Sequence, residues 1–183
     1  MRFDSANGKA KAMSTQDDFT DQDFSDDGHE PIELLARYCE AHGWPHELVG
    51  EEEIVTQVQG SWTSYELRGV WRSEDRVLQI LLFPEIKAVD DRKAAIHEAL
   101  SLINEQLWMG HFELWSASSM VVFRHATLLG DEGTLALEMV ETLVNTAIDE
   151  CERFYPVFQF VLWGGKSPAE AITAALIETR GEA

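Results

Sequence analysis

The spacing of apolar residues alternates between two periods along residues 31–180, and this alternation restricts the fold more than any other feature of the sequence. In some segments apolar residues recur every three or four positions, which is typical of a helix with one buried face. In others they recur at every second position, which is typical of a strand. The order is helix, three strands, helix, two strands, long helix and a short last helix. Runs of strands separated by single helices predict an α+β fold, in which helices cover an antiparallel sheet.

The helices are bounded by residues that start or stop helices. The first is predicted over residues 31–43, because it has proline at its first position and glycine at its end. The second is predicted over residues 90–110, from one of two neighbouring aspartates to a glycine, and the third over residues 134–154. After Tyr155 and Pro156 an apolar run continues over residues 157–163, beyond the predicted end of the third helix. A serine–glutamate capping box opens the last helix, over residues 167–180.

Five strands are predicted between these helices. Residues 54–59, 62–72 and 77–83 form the first three, and the third is nearly all apolar. A strand of that composition is expected at the centre of the sheet, with cover on both faces. Gly69 lies in the apolar row of the second strand, where it predicts a bulge or a close contact.

The last two strands, residues 111–115 and 120–125, form a hairpin that brings two histidines together if its turn is centred on Ser118. That register puts His111 directly across from His125, at a separation that allows a shared metal ion. The spacing of the cysteines and carboxylates supplies no third ligand, so no metal site is predicted. An enzyme with a dispersed active site around His111 and His125 is kept as an alternative, because catalytic groups assemble in space.

The first 29 residues differ in composition from the rest. Residues 12–30 contain seven acidic side chains and no basic one, and their large apolar residues are Met13, Phe19 and Phe24. So little apolar surface does not offset the entropy lost when the segment is ordered. The sequence therefore predicts a disordered acidic tail over residues 1–29 and a single α+β domain over residues 30–183.

The 183 residues include 33 acidic and 14 basic side chains, for a net charge of −19. Such a charge disfavours nucleic acid and anionic membrane surfaces as partners, because both are bound through lysine and arginine. Basic or neutral proteins are better matched. The two cysteines, Cys39 and Cys151, fall in helical segments and form no disulfide framework. Since there is no signal peptide and no apolar segment near the ~18 residues that span a bilayer, a cytoplasmic location is predicted.

Sequence motifs for catalysis and cofactor binding are incomplete. No Gly-x-Ser-x-Gly elbow is present, and neither cysteine has a histidine placed by local sequence. Residues 164–167 read Gly-Gly-Lys-Ser, but the upstream glycine of a phosphate-binding loop is missing. We therefore predict no catalytic residue and no cofactor.

Several segments resemble the YbjN family of bacterial sensory transduction regulators, over about residues 30–180. The likeness is carried by Glu98-Ala99-Leu100, Ile103-Asn104-Glu105, Gly110-His111-Phe112-Glu113-Leu114-Trp115, Val121-Val122-Phe123-Arg124, residues 158–165, and Trp62, Tyr65 and Trp71. The resemblance implies the α-β-β-β-α-β-β-α fold of the class I type III secretion chaperones, which are commonly dimeric, with a short helix added at the end. It implies protein binding or regulation, and it supplies no catalytic residues.

Aromatic residues are the best candidates for an interaction surface, because aromatic side chains favour interfaces as well as cores. The predicted partner or dimer surface consists of Trp62, Tyr65, Trp71, Trp115 and Trp163. The leading hypothesis is a non-enzymatic, chaperone-like or regulatory module that binds another protein, or a second copy of itself, along its sheet or a helix groove. A further alternative is a ligand-sensing regulator in which the acidic tail acts as a switch.

Overall fold

The computed structural model describes residues 30–130 and 135–178. The predicted tail of residues 1–29 lies outside these described residues. The helices are α1 (Pro31–Ala41), α2 (Lys93–Asn104), α3 (Leu137–Leu162) and α4 (Pro168–Glu178). The strands are β1 (His46–Leu48), β2 (Glu53–Gln59), β3 (Ser64–Arg72), β4 (Val77–Phe83), β5 (His111–Trp115) and β6 (Met120–Leu128).

All six strands belong to one antiparallel sheet in the order β1-β2-β3-β4-β6-β5. The α+β class and the predicted order of elements are therefore confirmed, with one strand more than expected. The additional strand, β1, pairs with β2 over only three residues. Three residues are too few for an alternating pattern to be recognised in the sequence.

The helices form a second layer on one face of the sheet. The strand register aligns Leu67, Leu82, Phe123 and Phe112 in one row across four strands, and all four side chains are buried. Helix α3 packs on this row, since the ring centroid of Phe154 lies 6.1 Å from that of Phe112. The row is the centre of the hydrophobic core.

The opposite face of the sheet, which we call the open face, has no helical layer among the described residues. Leu81 of β4 and Val122 of β6 point to this face and are nevertheless buried. The sequence predicted that β4 is covered on both faces. On the open face, neighbouring side chains of the sheet provide this cover.

Gly69 on β3 marks a close approach between the sheet and α1. Both ladders of β3 keep their register through this position, so there is no bulge. A Cβ atom at Gly69 would lie 2.5 Å from Cδ1 of Leu35 in α1 and 3.0 Å from Cγ2 of Ile54. The close contact predicted from the sequence is therefore present.

Helix α3 continues through Pro156 to Leu162, beyond its predicted end at about residue 154. A proline removes the N–H that would bond to the carbonyl four residues before it, here that of Glu152. Indole Nε1 of Trp62, in the turn between β2 and β3, donates a hydrogen bond to this carbonyl oxygen at 3.1 Å. The Trp62 ring also stacks on Tyr155, with centroids 6.0 Å apart. A side chain distant in sequence thus replaces the missing donor.

The β5–β6 hairpin has a register one residue away from the predicted one. His111 pairs with Arg124 rather than with His125. The turn contains four residues and is closed by the N–H of Ser119, which has φ 57° and bonds to the carbonyl of Trp115 at 2.7 Å. Because a shift of one residue turns a side chain to the other face, His111 points to the open face and His125 to the helices.

Candidate functional site

The open face carries a network of charged and aromatic side chains. Arg68, in the middle of β3, donates hydrogen bonds to Glu66 at 2.8 Å and to Glu53 of β2 at 3.2 Å. Its guanidinium carbon lies 5.5 Å from the centre of the Phe83 ring on β4, within cation–π range. The hydrogen bond to Glu66 is the main cause that raises the pKa of Arg68, so the guanidinium stays charged.

The network continues over β6 to the edge strand β5. The rings of Phe83 and Trp115 meet edge to face, with centroids 5.3 Å apart. The indole N–H of Trp115 donates to Glu113 at 2.6 Å, and the same carboxylate pairs with Arg124 at 2.6 Å. Because β6 lies between β4 and β5, the two rings meet over β6, and Val122 beneath them is fully buried. The open face is therefore apolar underneath and polar above.

The open face also differs from the whole chain in charge. Its strands present three arginines against four glutamates, so its net charge is −1, whereas the chain carries −19. These residues are Arg68, Arg72, Arg124, Glu47, Glu53, Glu66 and Glu113. Another acidic protein can approach this face with little local repulsion.

The five residues predicted as an interaction surface do not form one patch. Tyr65 and Trp71 are 0% and 6% exposed and belong to the core, so they are no part of a surface of this fold. Trp62 packs on α3, as described above. Trp115 lies in the open-face network, and Trp163 is 68% exposed at the end of α3. Trp62 is also 47% exposed, so a role in partner binding stays a prediction for Trp62, Trp115 and Trp163.

The two histidines of the hairpin face opposite sides of the sheet. His111 Nε2 lies 3.8 Å from a carboxylate oxygen of Glu113 on the open face. Burial, and secondly the charge of His111, lower the pKa of His125. Within residues 30–130 and 135–178, no three histidine, cysteine, aspartate or glutamate side chains are positioned to hold a metal ion.

Two surface cavities lie away from these histidines. One, of about 390 Å³, lies at the start of β2 and the end of β3 and is lined by residues 49, 52, 53 and 70–75. The other, of about 430 Å³, is lined by residues 169, 170, 173 and 174 of α4. Neither is lined by His111, Glu113 or His125. The histidine pair is therefore not part of either cavity.

The block around residues 103–115, which carries much of the family resemblance, has a structural explanation. The side-chain amide of Asn104, at the end of α2, accepts a hydrogen bond from the N–H of Phe112 at 2.8 Å and donates one to its carbonyl at 2.9 Å. Since β5 is an edge strand, these outward backbone groups have no strand partner. Gly110 has φ +70°, and a Cβ there would lie 2.9 Å from the carbonyl oxygen of Arg124. These residues shape the loop between α2 and β5.

Trp108 in this loop is 99% exposed, yet it is absent from the predicted surface set. Its neighbours Leu107 and Met109 pack against the core. Three consecutive apolar residues before a glycine do not reveal which of them faces solvent. Only the course of the backbone in this loop identifies Trp108.

The described helices also lack the combination of length and apolar character that a membrane-spanning helix requires.

Solved structures that are similar to this chain include the following two. YbjN from E. coli shares 8% identity at a TM-score of 0.48, with 72% of this chain and 88% of that chain covered. A chain of the ExsC–ExsE complex shares 16% identity at a TM-score of 0.43, with 67% of this chain and 88% of that chain covered. No curated protein sequence matches the chain.

The family model YbjN, described as "Putative bacterial sensory transduction regulator", matches residues 31–160. The match begins with α1, includes the whole sheet and ends near the end of α3, while α4 lies beyond it. It confirms the resemblance found in the sequence. The chain therefore belongs to the YbjN family.

Proposed function

We propose that this chain is a non-enzymatic protein-binding module with a regulatory or chaperone-like role, and that its open face holds the partner. The observation that carries the proposal is the network of Arg68, Phe83 and Trp115, in which half-buried aromatic rings and ion pairs lie on a sheet face without a helical layer. Aromatic residues and arginine are enriched in protein interfaces and in their hot spots. Membership of a family of regulators agrees with this role.

The proposal includes a second copy of the chain as a partner. Two copies that each carry −19 repel one another least where the local charge is near zero, and the open face has a net charge of −1. Its half-buried apolar side chains, such as Val70 and Phe83, would lose their remaining contact with water in such a pair.

The test uses two matched substitutions to lysine, on opposite sides of the protein. Val70→Lys puts a long charged side chain in the middle of the open face. Met139→Lys does the same on α3, where Met139 is 43% exposed. The molar mass of each purified variant in solution gives the oligomeric state. Affinity capture from a lysate of the source bacterium, followed by mass spectrometry, gives other partners.

We expect the wild type and Met139→Lys to form the same complex, and Val70→Lys to lose it. The reason is that a partner covering this face would have to desolvate the new lysine, and pairing with Glu53, which lies directly across from position 70, does not offset that cost. A wild type that is monomeric and captures no protein would overturn the proposed function. Equal complex formation by both variants would remove the open face from it.

A further inference from the structure

The loop between α2 and β5 presents a fully exposed tryptophan. The side chain of Trp108 is 99% exposed, whereas tryptophan is on average a highly buried residue. Leu107 and Met109, on either side of it, are partly buried against the core. The loop therefore holds two of three consecutive apolar side chains inside and turns the middle one outwards.

The backbone that carries Trp108 is fixed at both ends. At its base the amide of Asn104 bonds to both backbone groups of Phe112, at 2.8 and 2.9 Å. On one side the N–H of Gln106 bonds to the carbonyl of Ile103 at 2.9 Å. On the other side Gly110 packs tightly in a left-handed conformation. Because the loop is already ordered, a partner that binds Trp108 avoids part of the entropy cost of ordering it.

The electrostatic environment of the loop is negative. Helix α2 ends at Asn104, and its C-terminal end carries the negative pole of the helix dipole. No basic residue lies in the last turn of α2, and Glu105 follows as an exposed carboxylate. The end of α2 and Glu105 precede Trp108 by four and three positions in the chain. A cationic group on a partner would be attracted both to them and to the face of the indole ring.

We propose that Trp108 is an anchor for a second protein, one that offers an apolar slot rimmed by lysine or arginine. The inference rests on the proposed protein-binding function and adds a second surface to it, separate from the open face. Tryptophan, like tyrosine and arginine, is enriched among the few residues that carry most of the binding energy of an interface. The negative end of α2 and Glu105 set the charge of the rim.

A second copy of the chain does not fit this description. In a symmetric contact through this loop it would bring its own Glu105 and its own helix C-terminus against those of the first copy, in addition to a net charge of −19 on each. Like charges placed against each other oppose an interface. The partner at Trp108 is therefore a different, basic protein.

The test compares two exposed tryptophans, Trp108 and Trp163, which are 99% and 68% exposed. Each is replaced in the full chain by the photo-crosslinker p-benzoylphenylalanine. After irradiation in a lysate of the source bacterium, the crosslinked peptides are sequenced by mass spectrometry.

In parallel, Trp108→Ala and Trp163→Ala are compared for binding to the protein that is crosslinked. Trp108→Ala is expected to unfold at the wild-type temperature, because its exposed side chain contributes little to the core.

We expect the crosslinker at position 108 to attach to one protein, at a segment in which apolar residues lie beside lysine or arginine. The amount of this adduct should be lower in 0.5 M salt. Trp108→Ala should weaken the binding of this protein about 30-fold or more, as expected when a hot-spot residue is removed. Trp163→Ala should weaken it less than threefold. Crosslinking only to a second copy, no adduct at position 108, or equal affinity of the two alanine variants would overturn the inference. A partner that binds the wild type and Trp108→Ala equally would overturn it while the proposed function stands.

Discussion

At the scale of single residues, two side chains act as substitutes for missing secondary-structure partners. Trp62 donates to the Glu152 carbonyl that Pro156 leaves without its helical donor, and Asn104 occupies the outer backbone groups of Phe112 on an edge strand. In both cases a polar group that would lose water on folding gains a hydrogen bond. The two positions therefore have structural roles that can be measured separately from binding.

Replacement of Trp62 by phenylalanine tests the first of these roles. Trp62→Phe keeps an aromatic ring beside Tyr155 but removes the indole N–H that bonds to Glu152. We expect the free energy of unfolding to fall by about 0.5–1.5 kcal/mol, the usual net value of one hydrogen bond. Urea denaturation followed by circular dichroism measures this change. Trp163→Phe, at a more exposed site, is the control and should leave stability unchanged. Equal effects of the two variants would contradict the role of Trp62.

Replacement of Asn104 tests the second role, with an amide exchange rate as the readout. Asn104→Ala removes both bonds to Phe112, and we expect a loss of about 2 kcal/mol in stability, since each is worth about 1 kcal/mol. The amide hydrogen of Phe112 should then exchange much faster in NMR experiments. Asn104→Asp still offers an oxygen to that N–H and should keep the amide protected. Fast exchange in the wild type would show that the bond does not persist in solution.

At the scale of elements, the sequence predicts those with a clear period and misses those fixed by contacts distant in the chain. The strand at residues 77–83 and the capping box at Ser167 are found as predicted, and the latter is closed by the Ser167–Glu170 bonds. The end of α3 is missed because the donor that makes Pro156 tolerable comes from a turn between two strands. The hairpin register is missed because Ser119 adopts a conformation that its residue type does not announce.

The candidate site is predicted less well than the fold. Aromatic residue type alone does not separate Tyr65 and Trp71, which fill the core, from Trp115 on the open face. The alternation along β3 does assign Tyr65 to the row of Leu67, and hence to the buried side. For Trp108 no such periodicity exists, because it lies in a loop whose course depends on the bonds of Asn104.

The packing of α1 on the sheet depends on the absence of a side chain at Gly69. Gly69→Ala would bring a methyl group to 2.5 Å from Cδ1 of Leu35, so either the buried Leu35 side chain or α1 itself must shift. We expect a loss of about 1–3 kcal/mol in the free energy of unfolding, as for other overpacked cores. Gly130→Ala is the control, because a Cβ there would meet nothing within 4 Å. Thermal unfolding by calorimetry compares the two, and equal melting temperatures would contradict the close approach.

At the scale of the whole molecule, charge is distributed unevenly. On the open face Arg68 and Arg124 form ion pairs at 2.6–3.2 Å with three glutamates, while the chain as a whole carries 33 acidic against 14 basic residues. Partly exposed ion pairs contribute little to stability, typically below about 1 kcal/mol each. Mutual repulsion of the acidic groups therefore outweighs them and opposes the compact state.

This balance predicts the sign of the salt dependence of folding. Between about 10 mM and 300 mM salt the screening length falls well below the diameter of the domain, so repulsion between distant carboxylates is reduced more than attraction within the close pairs of the open face. We expect the free energy of unfolding to rise by about 1 kcal/mol over this range, which raises the melting temperature by about 2–4 °C. Calorimetry in sodium chloride and in potassium chloride should give the same increase, because screening depends on ionic strength rather than on the cation. A melting temperature that falls with salt would mean that the Arg68 and Arg124 pairs, and not the net charge of −19, dominate the electrostatics of the fold.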